Sequence, residues 1–287
     1  EYCNLCNQVI APSGSIARLL RERGVTTPIE VIPTGIDIGF FAAGEGERFR
    51  KKTGIPLKAR VIGHVGRLAK EKNLLFLAEA VAISLQDDPS AVFLIVGEGD
   101  DREEMLEILG KEIGKHQVYA VGMLTGPDLA HAYAAMDYFV FASQTETQGL
   151  VLAEAMAAGK PVIALDGPGV REIIKHDENG LLLNGKATTE EFAAALACLM
   201  HDRELSQYCA DKAMETAEGY GTELCVQSVL HCYEQVIERN GRSGESDLTP
   251  WDRLLSGIDV EWDLLVEKML AASAAVMETP ATRAHID

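Results

Sequence analysis

Asp137-Tyr-Phe-Val-Phe-Ala142-Ser-Gln-Thr-Glu146-Thr-Gln-Gly149-Leu-Val-Leu-Ala-Glu154-Ala-Met-Ala-Ala-Gly159-Lys-Pro161 is the stretch from which the rest of the chain can be read. Its first six residues are a short apolar run that predicts a buried strand. Leu150 to Ala158 predict a helix stopped by Gly159 and Pro161. The turn between them is a natural place for a ligand. Amides of Gly149, Leu150 and Val151 would project from the helix start without intrahelical partners, where the dipole favours an anion such as a diphosphate. Glu146 precedes the helix and Glu154 lies inside it, with seven residues between them. At 1.5 Å per residue, Glu154 stands roughly 6 to 8 Å further along the helix, about the span from a diphosphate to a ribose. Two Glu residues beside a helix start also simply suit its dipole, so the bare spacing leaves both readings open.

Outward from this junction, the chain alternates strands and helices from residue 60 onward, which predicts a parallel sheet covered on both faces. Strands are expected over Arg60 to Val65, Ala91 to Val96, Gln117 to Val121, Tyr138 to Phe141, Pro161 to Ala164 and Leu181 to Leu183. Helices are expected over Leu74 to Leu85, Arg102 to Ile113, Pro127 to Ala135, Leu150 to Ala158 and Val170 to Lys175. The fold class is therefore α/β, with one doubly wound, Rossmann-like domain. After Thr189 the pattern turns wholly helical and ends with Thr222 to Arg239, whose apolar residues form a broad stripe. Residues 240 to 248 read as a linker, and Val260 to Ala275 as one amphipathic helix. The first forty residues do not fit this domain. Asn7 to Ala11 reads as a strand, Ser13 to Arg23 as a capped helix ended by Gly24, and Ile29 to Ile32 as another strand, with no core of their own.

Three loops follow strands, on the side of an open α/β sheet where ligands bind. The first is Gly66-Arg67-Leu-Ala-Lys70-Glu-Lys72-Asn73, whose guanidinium and ammonium groups suit a diphosphate, with a merely soluble charged turn as the alternative. The second is Val96-Gly97-Glu98-Gly99-Asp100-Asp101. It lacks the third glycine of a dinucleotide fingerprint, and its two aspartates would repel a pyrophosphate. Asp100 is expected to cap the following helix, with Gly97 and Gly99 allowing close backbone approach. The third is Val121-Gly122-Met123-Leu124.

Composition agrees with an α/β protein: 287 residues, 47% hydrophobic, net charge −18. The strong acidity argues against nucleic acid as a partner. No apolar run is long enough to span a bilayer and no secretory signal is visible at the start of the sequence, so the expected location is the cytoplasm. Residues 1 to 60 nevertheless carry a net charge of +3. Cys3 and Cys6 have the local spacing of a disulfide or zinc pair, but no second pair follows, and no metal site is expected. Cys198, Cys209, Cys225 and Cys232 are expected to be buried free thiols in a reduced compartment. His64 falls inside an apolar strand, where a satisfied core role is expected. No Asp-x-Asp occurs to hold a divalent ion on a diphosphate.

The Glu146 to Pro161 segment resembles the signature of the retaining glycosyltransferases of the GT-B fold, family four: Glu, seven residues, Glu, then a small-residue helix ending before Gly-x-Pro-Val. The resemblance implies that Glu146 contacts the donor sugar, that Glu154 holds the nucleotide ribose, and that Arg67 and Lys72 hold the donor diphosphate. Lys70 becomes a solvated neighbour by the same motif. Gly149, Leu150 and Val151 would meet the diphosphate, Gly97 would lie beside the nucleotide, and the backbone of Val121 and Met123 would read the base edge. No metal or other cofactor is then required.

Under that resemblance, residues 1–40 are the closing strand, helix and hinge (Pro33 to Asp37) of an otherwise missing acceptor domain. Residues 41–220 are the nucleotide-sugar domain, 221–240 a crossover helix, and 241–287 a linker and acidic helical tail. The chain is expected to be a fragment or to complete its fold with a partner. The run from Thr145 to Val151, with Asp166 to Glu172, looks most like enzymes that glucosylate diacylglycerol from UDP-glucose. A basic first domain would then meet the inner membrane face peripherally, in keeping with the charge asymmetry. A family-four transferase with a cell-wall or soluble acceptor, and a non-catalytic nucleotide-sugar-binding fragment, remain as alternatives.

Overall fold

The structure is a computed structural model that describes residues 2–243. It opens with a small parallel pair, β1 (Val9–Ala11) and β2 (Ile29–Val31), linked by α1 (Gly14–Glu22). Ser13 starts α1 by accepting from the Ile16 amide, as capping predicts, and Gly24 ends it at φ +87°. Two helices follow that the periodicity did not announce: α2 (Ile38–Ala42), capped by Asp37, and α3 (Gly46–Thr53). The charged α3 buries only Phe49 and Arg50, so its sequence carries almost no apolar stripe.

The main sheet is built from β3 (Arg60–Val65), β4 (Ala91–Val96), β5 (Val118–Ala120), β6 (Tyr138–Phe141), β7 (Val162–Leu165) and β8 (Gly180–Leu183). Its helices are α4 (Leu74–Asp87), α5 (Arg102–Glu112), α6 (Pro127–Ala135), α7 (Leu150–Ala157), α8 (Val170–Ile173), α9 (Thr189–His201), α10 (Arg203–Glu218) and α11 (Thr222–Ser243). The spatial order is β5-β4-β3-β6-β7-β8, all parallel. Alternate residues feed opposite faces, as the pleat requires. Val61, Leu94, Phe139 and Phe141 pack toward α6 and α7, while Ile62, Phe93, Ile95 and Val140 pack toward α4, α5 and α9.

The strand order fixes where a ligand can enter. The chain lays down β3, β4 and β5 on one side, then returns to build β6, β7 and β8 on the other. Loops leaving β3 and β6 therefore diverge, opening a crevice at the carboxyl ends of those two strands. The hinge segment crosses to the end of the helical run. Ile36 pairs with Gly221, its amide donating to Tyr220 C=O at 2.8 Å and its carbonyl accepting from Thr222 at 3.0 Å.

Several expectations need correction. Asp101, not Asp100, is the residue preceding α5, and its side chain makes no capping bond because the turn is held through its backbone, Asp101 N–H to Leu68 C=O at 3.0 Å. The helix begun at Val170 stops at Ile173, where Asn179 takes over the helix end, donating to Ile173 C=O and accepting from Lys175 N–H. Cys198 is exposed, on the solvent face of α9, whereas Cys209, Cys225 and Cys232 are buried. The linker expected from residue 240 begins late, since α11 continues to Ser243. The rest of that linker and the helix expected over Val260 to Ala275 lie outside the described residues.

Candidate functional site

The crevice between β3 and β6 is walled by the two loops that diverge there. After β3, a single 3-10 turn over Lys70–Lys72 ends at Asn73, which enters the left-handed region at φ 54°. This turn aims the Lys72 ammonium across the crevice, where it forms an ion pair with the Glu146 carboxylate from the loop after β6. Both side chains are largely buried, at 18% and 12% exposure. Ser143 ties the same two loops together, donating to Glu71 C=O at 3.0 Å. Arg67 is exposed at the rim and pairs with Glu71, while Lys70 faces solvent.

Gly149 begins α7 at φ +77°, a backbone that a side chain would strain. That turn leaves the amides of Leu150 and Val151 at the open helix start without intrahelical acceptors. They face a cavity of ≈ 390 Å³ that gathers Arg67, Lys72, Glu146, Gly149, Leu150 and Val151, with Pro12 and Thr34 closing it from the first segment. Two cations, one carboxylate and a helix start thus converge on one anion-sized space.

The remaining residues singled out from the sequence stand outside this cavity. Glu154 lies on the next turn of α7, half-buried, and accepts from the Tyr133 hydroxyl at 2.6 Å. Burial pushes its carboxyl above the usual range, opposed by the Tyr133 hydrogen bond. Gly97 is needed by the chain itself: a Cβ there would lie 1.9 Å from Gly66 C=O. Its amide donates to Gly122 C=O at 2.8 Å. Val121 continues the ladder through Ile95 C=O and packs into the core, and Met123 projects at 73% exposure beyond it.

Sequence reasoning missed the staples that hold the Glu146 loop in place. The Gln148 side chain accepts from Thr34 N–H and donates to Thr34 C=O, and Ser13 donates to Thr147 C=O at 2.6 Å. Glu172 of α8 caps α1 from outside, accepting from Gly14 and Ser15 amides at 2.5 and 2.7 Å. Burial alone would raise the Glu172 pKa, but the Ser15 and Gly14 donors hold it below the usual carboxylate range. No local pattern marks these contacts, because their partners are more than a hundred residues apart.

His64 is fully buried beneath the crevice. Its Nδ1 donates to Val140 C=O at 3.1 Å, but Nε2 has no partner among the described residues, so the fully satisfied core histidine expected from sequence is only half realised. Desolvation pushes its pKa down to about 4, against the Val140 hydrogen bond and aided by the Lys72 charge. Among the described residues, no group of three or more His, Cys, Asp or Glu side chains gathers to hold a metal ion.

Comparison with known proteins gives a consistent result. The family model described as "Glycosyl transferases group 1" matches residues 45–216. The sulfoquinovosyl transferase SQD2 of Arabidopsis thaliana is 33% identical over 219 residues, covering 74% of this chain and 41% of the relative. A D-inositol 3-phosphate glycosyltransferase of Corynebacterium jeikeium is 31% identical, covering 77% and 54%, and the alpha-monoglucosyldiacylglycerol synthase of Acholeplasma laidlawii is 24% identical, covering 84% and 61%. This chain thus spans about half the length of these curated relatives. Among solved structures, Anabaena Alr3699/HepE in complex with UDP-glucose matches with a TM-score of 0.72 at 24% identity, over 80% of this chain and 64% of that one. The parallel-sheet unit has the GT-B fold.

Proposed function

This chain belongs to the group 1 glycosyl transferases, and we propose that it supplies the donor-binding half of an enzyme that moves a sugar from a UDP-sugar, UDP-glucose in the first instance, to a lipid acceptor such as diacylglycerol. The observation that carries this reading is the pairing of Lys72 with Glu146 beside the open start of α7 at the strand-order reversal. Donor identity is supported by a structural neighbour that holds UDP-glucose, and the lipid acceptor by a relative named as a monoglucosyldiacylglycerol synthase. The acceptor side is supplied by a preceding domain, of which residues 1–40 are the closing elements. The exposed apolar side chains of Ile10 and Val31 on the small sheet are in keeping with a larger sheet there. No helix among the described residues is long and apolar enough to cross a membrane. In this reading the lipid acceptor is met peripherally, at the inner membrane face.

Catalysis in this reading is mainly stabilisation of the leaving group. Negative charge grows on the departing diphosphate, and Arg67, Lys72 and the Leu150 and Val151 amides converge on the space that receives it. Two cations supply the neutralisation that a divalent ion would otherwise give, so no metal is required in this reading. Arrival of the diphosphate competes with Glu146 for Lys72. The carboxylate is then released to accept from the donor sugar's hydroxyls and to favour positive charge at the anomeric carbon. Glu154, one turn along α7, takes the ribose hydroxyls.

Titration calorimetry of this chain with UDP-glucose and with UDP tests the proposal. Binding of both, unaltered by EDTA, is the expected result. No heat with either nucleotide, or binding abolished by the chelator, would overturn it.

A further inference from the structure

We propose a second anion site at the opposite end of the six-stranded sheet from the crevice, a cavity of ≈ 570 Å³ that takes a phosphorylated small molecule. It lies where the strands begin. Residues 57–60 lead into β3, Asp137 and Tyr138 open β6, and residues 159–161 lead into β7. At about 3.3 Å per residue, the length of β3 puts it some 20 Å from the Lys72–Glu146 pair.

The charge of this cavity is opposite to that of the molecule. In a chain of net charge −18, five cations line it (Arg50, Lys58, Arg60, Lys160 and Arg203) against the single carboxylate of Asp137. The nearby acids are already committed. Asp137 accepts from Arg50 at 3.0 Å and from the Val61 amide at 2.7 Å. Asp88 pairs with Arg60 at 2.5 Å and accepts from Ser90, and Asp202 caps α10 through the Leu205 amide. Arg50 is also structural, its guanidinium closing the carbonyls of Leu57, Ala59 and Ala135. Lys58, Lys160 and Arg203 form no ion pair among the described residues, with the Asp137 charge acting on Lys160 alone of the three. Lys160 makes one bond, to Ala134 C=O at 3.1 Å, leaving ammonium protons toward the cavity. Its burial disfavours the charged form, a penalty that an anion would relieve.

A cavity of this volume suits a metabolite-sized ligand. The chemistry is phosphoryl recognition by unpaired Lys and Arg, and the concave shape favours a soluble phosphate over a flat array of lipid headgroups. The site is independent of the donor reading, because it shares no residue with the crevice.

The test uses this chain labelled with 15N and inorganic pyrophosphate as probe. Saturable shifts at the amides of residues 58–60, 159–160 and 203–207 are expected, separate from any at Gly149 to Val151. The double variant Lys58→Glu/Arg203→Glu should weaken these shifts at least tenfold while leaving the Gly149 to Val151 amides unchanged. Lys58→Gln/Arg203→Gln, milder at two exposed positions, should weaken them by a smaller factor and guards against misfolding. Shifts of equal size at Arg21 and Arg23, or affinity unaltered in both variants, would mean that pyrophosphate reads only general surface charge, and would overturn the site. Vesicles containing phosphatidylglycerol provide the other arm. Sedimentation that depends on Lys58 and Arg203 without any pyrophosphate response would assign the patch to a membrane and overturn the soluble ligand.

Discussion

The carboxamide of Gln148 grips both polar groups of the Thr34 backbone, accepting from its N–H and donating to its C=O, each at 3.0 Å. Gln148 is 5% exposed and stands between Thr147 and Gly149, so the hinge is fastened to the loop that carries Glu146. Gln148→Ala leaves a donor and an acceptor without partners and should cost about 1 to 3 kcal/mol in urea denaturation. Gln148→Glu can still accept but meets the Thr34 carbonyl with a carboxylate, so it should recover only part of the loss. A Gln148→Ala protein as stable as the parent would show that the loop is held without Thr34.

His64 predicts an acid-dependent loss of stability. Its pKa is near 4 in the folded chain because burial opposes the charged ring, against about 6.5 for an exposed imidazole. Between these values the unfolded chain binds more protons, so its contribution to stability is complete above the unfolded pKa and is lost as pH falls toward 4. The full swing is about 3 kcal/mol. The ring stacks at 6.4 and 6.2 Å from Phe139 and Phe141, so His64→Gln lowers stability at neutral pH. Its slope against pH over this window should nonetheless flatten. An unchanged slope would place the acid sensitivity elsewhere.

These two residues also mark how far the sequence could be read. The central strands were legible because runs such as Ala91 to Val96 are apolar on both faces and end at glycine. The crevice residues were legible by resemblance, and the strand-order reversal brings Arg67, Lys72 and Glu146 together. Helix α3 was not legible, since contacts with α6 rather than an apolar stripe hold it. Nor were the Gln148 and Glu172 staples, whose partners Thr34 and Gly14 are adjacent only once the chain has folded. Gly97 and Gly99 were legible as points of close backbone approach, and a Cβ at either would run into the carbonyl of Gly66 or Leu68.

Tyr133 should tune Glu154. The phenol is fully buried and donates to the carboxylate at 2.6 Å, which favours the ionised form against the raising effect of burial. Because the folded pKa lies above the unfolded value, Glu154 stabilises the fold when protonated, and that contribution is lost as pH rises through the folded pKa. In the proposed role the ionised carboxylate accepts from the ribose hydroxyls, so UDP affinity should fall on the acid side of the same titration. Tyr133→Phe removes the donor and should move that acid limb to higher pH, read by UDP titrations over a pH series. A limb that stays in place would separate Glu154 from ribose binding.

The Lys72–Glu146 pair yields the sharpest test, because its two members are expected to act oppositely on UDP. Both side chains are mostly buried, so Lys72→Met strands a carboxylate and should cost about 3 to 5 kcal/mol of stability, with loss of UDP affinity. Glu146→Gln leaves the ammonium without its competitor. UDP should then bind equally well or tighter, by up to about 1.5 kcal/mol, while sugar transfer by the enzyme with its acceptor domain falls steeply. The double variant Lys72→Met/Glu146→Gln removes both charges and should regain most of the lost stability without regaining UDP affinity. Stability and affinity would thereby separate. If Glu146→Gln instead weakened UDP as much as Lys72→Met does, the carboxylate would be acting on the nucleotide, and the direction in which the donor lies along α7 would have to be reversed.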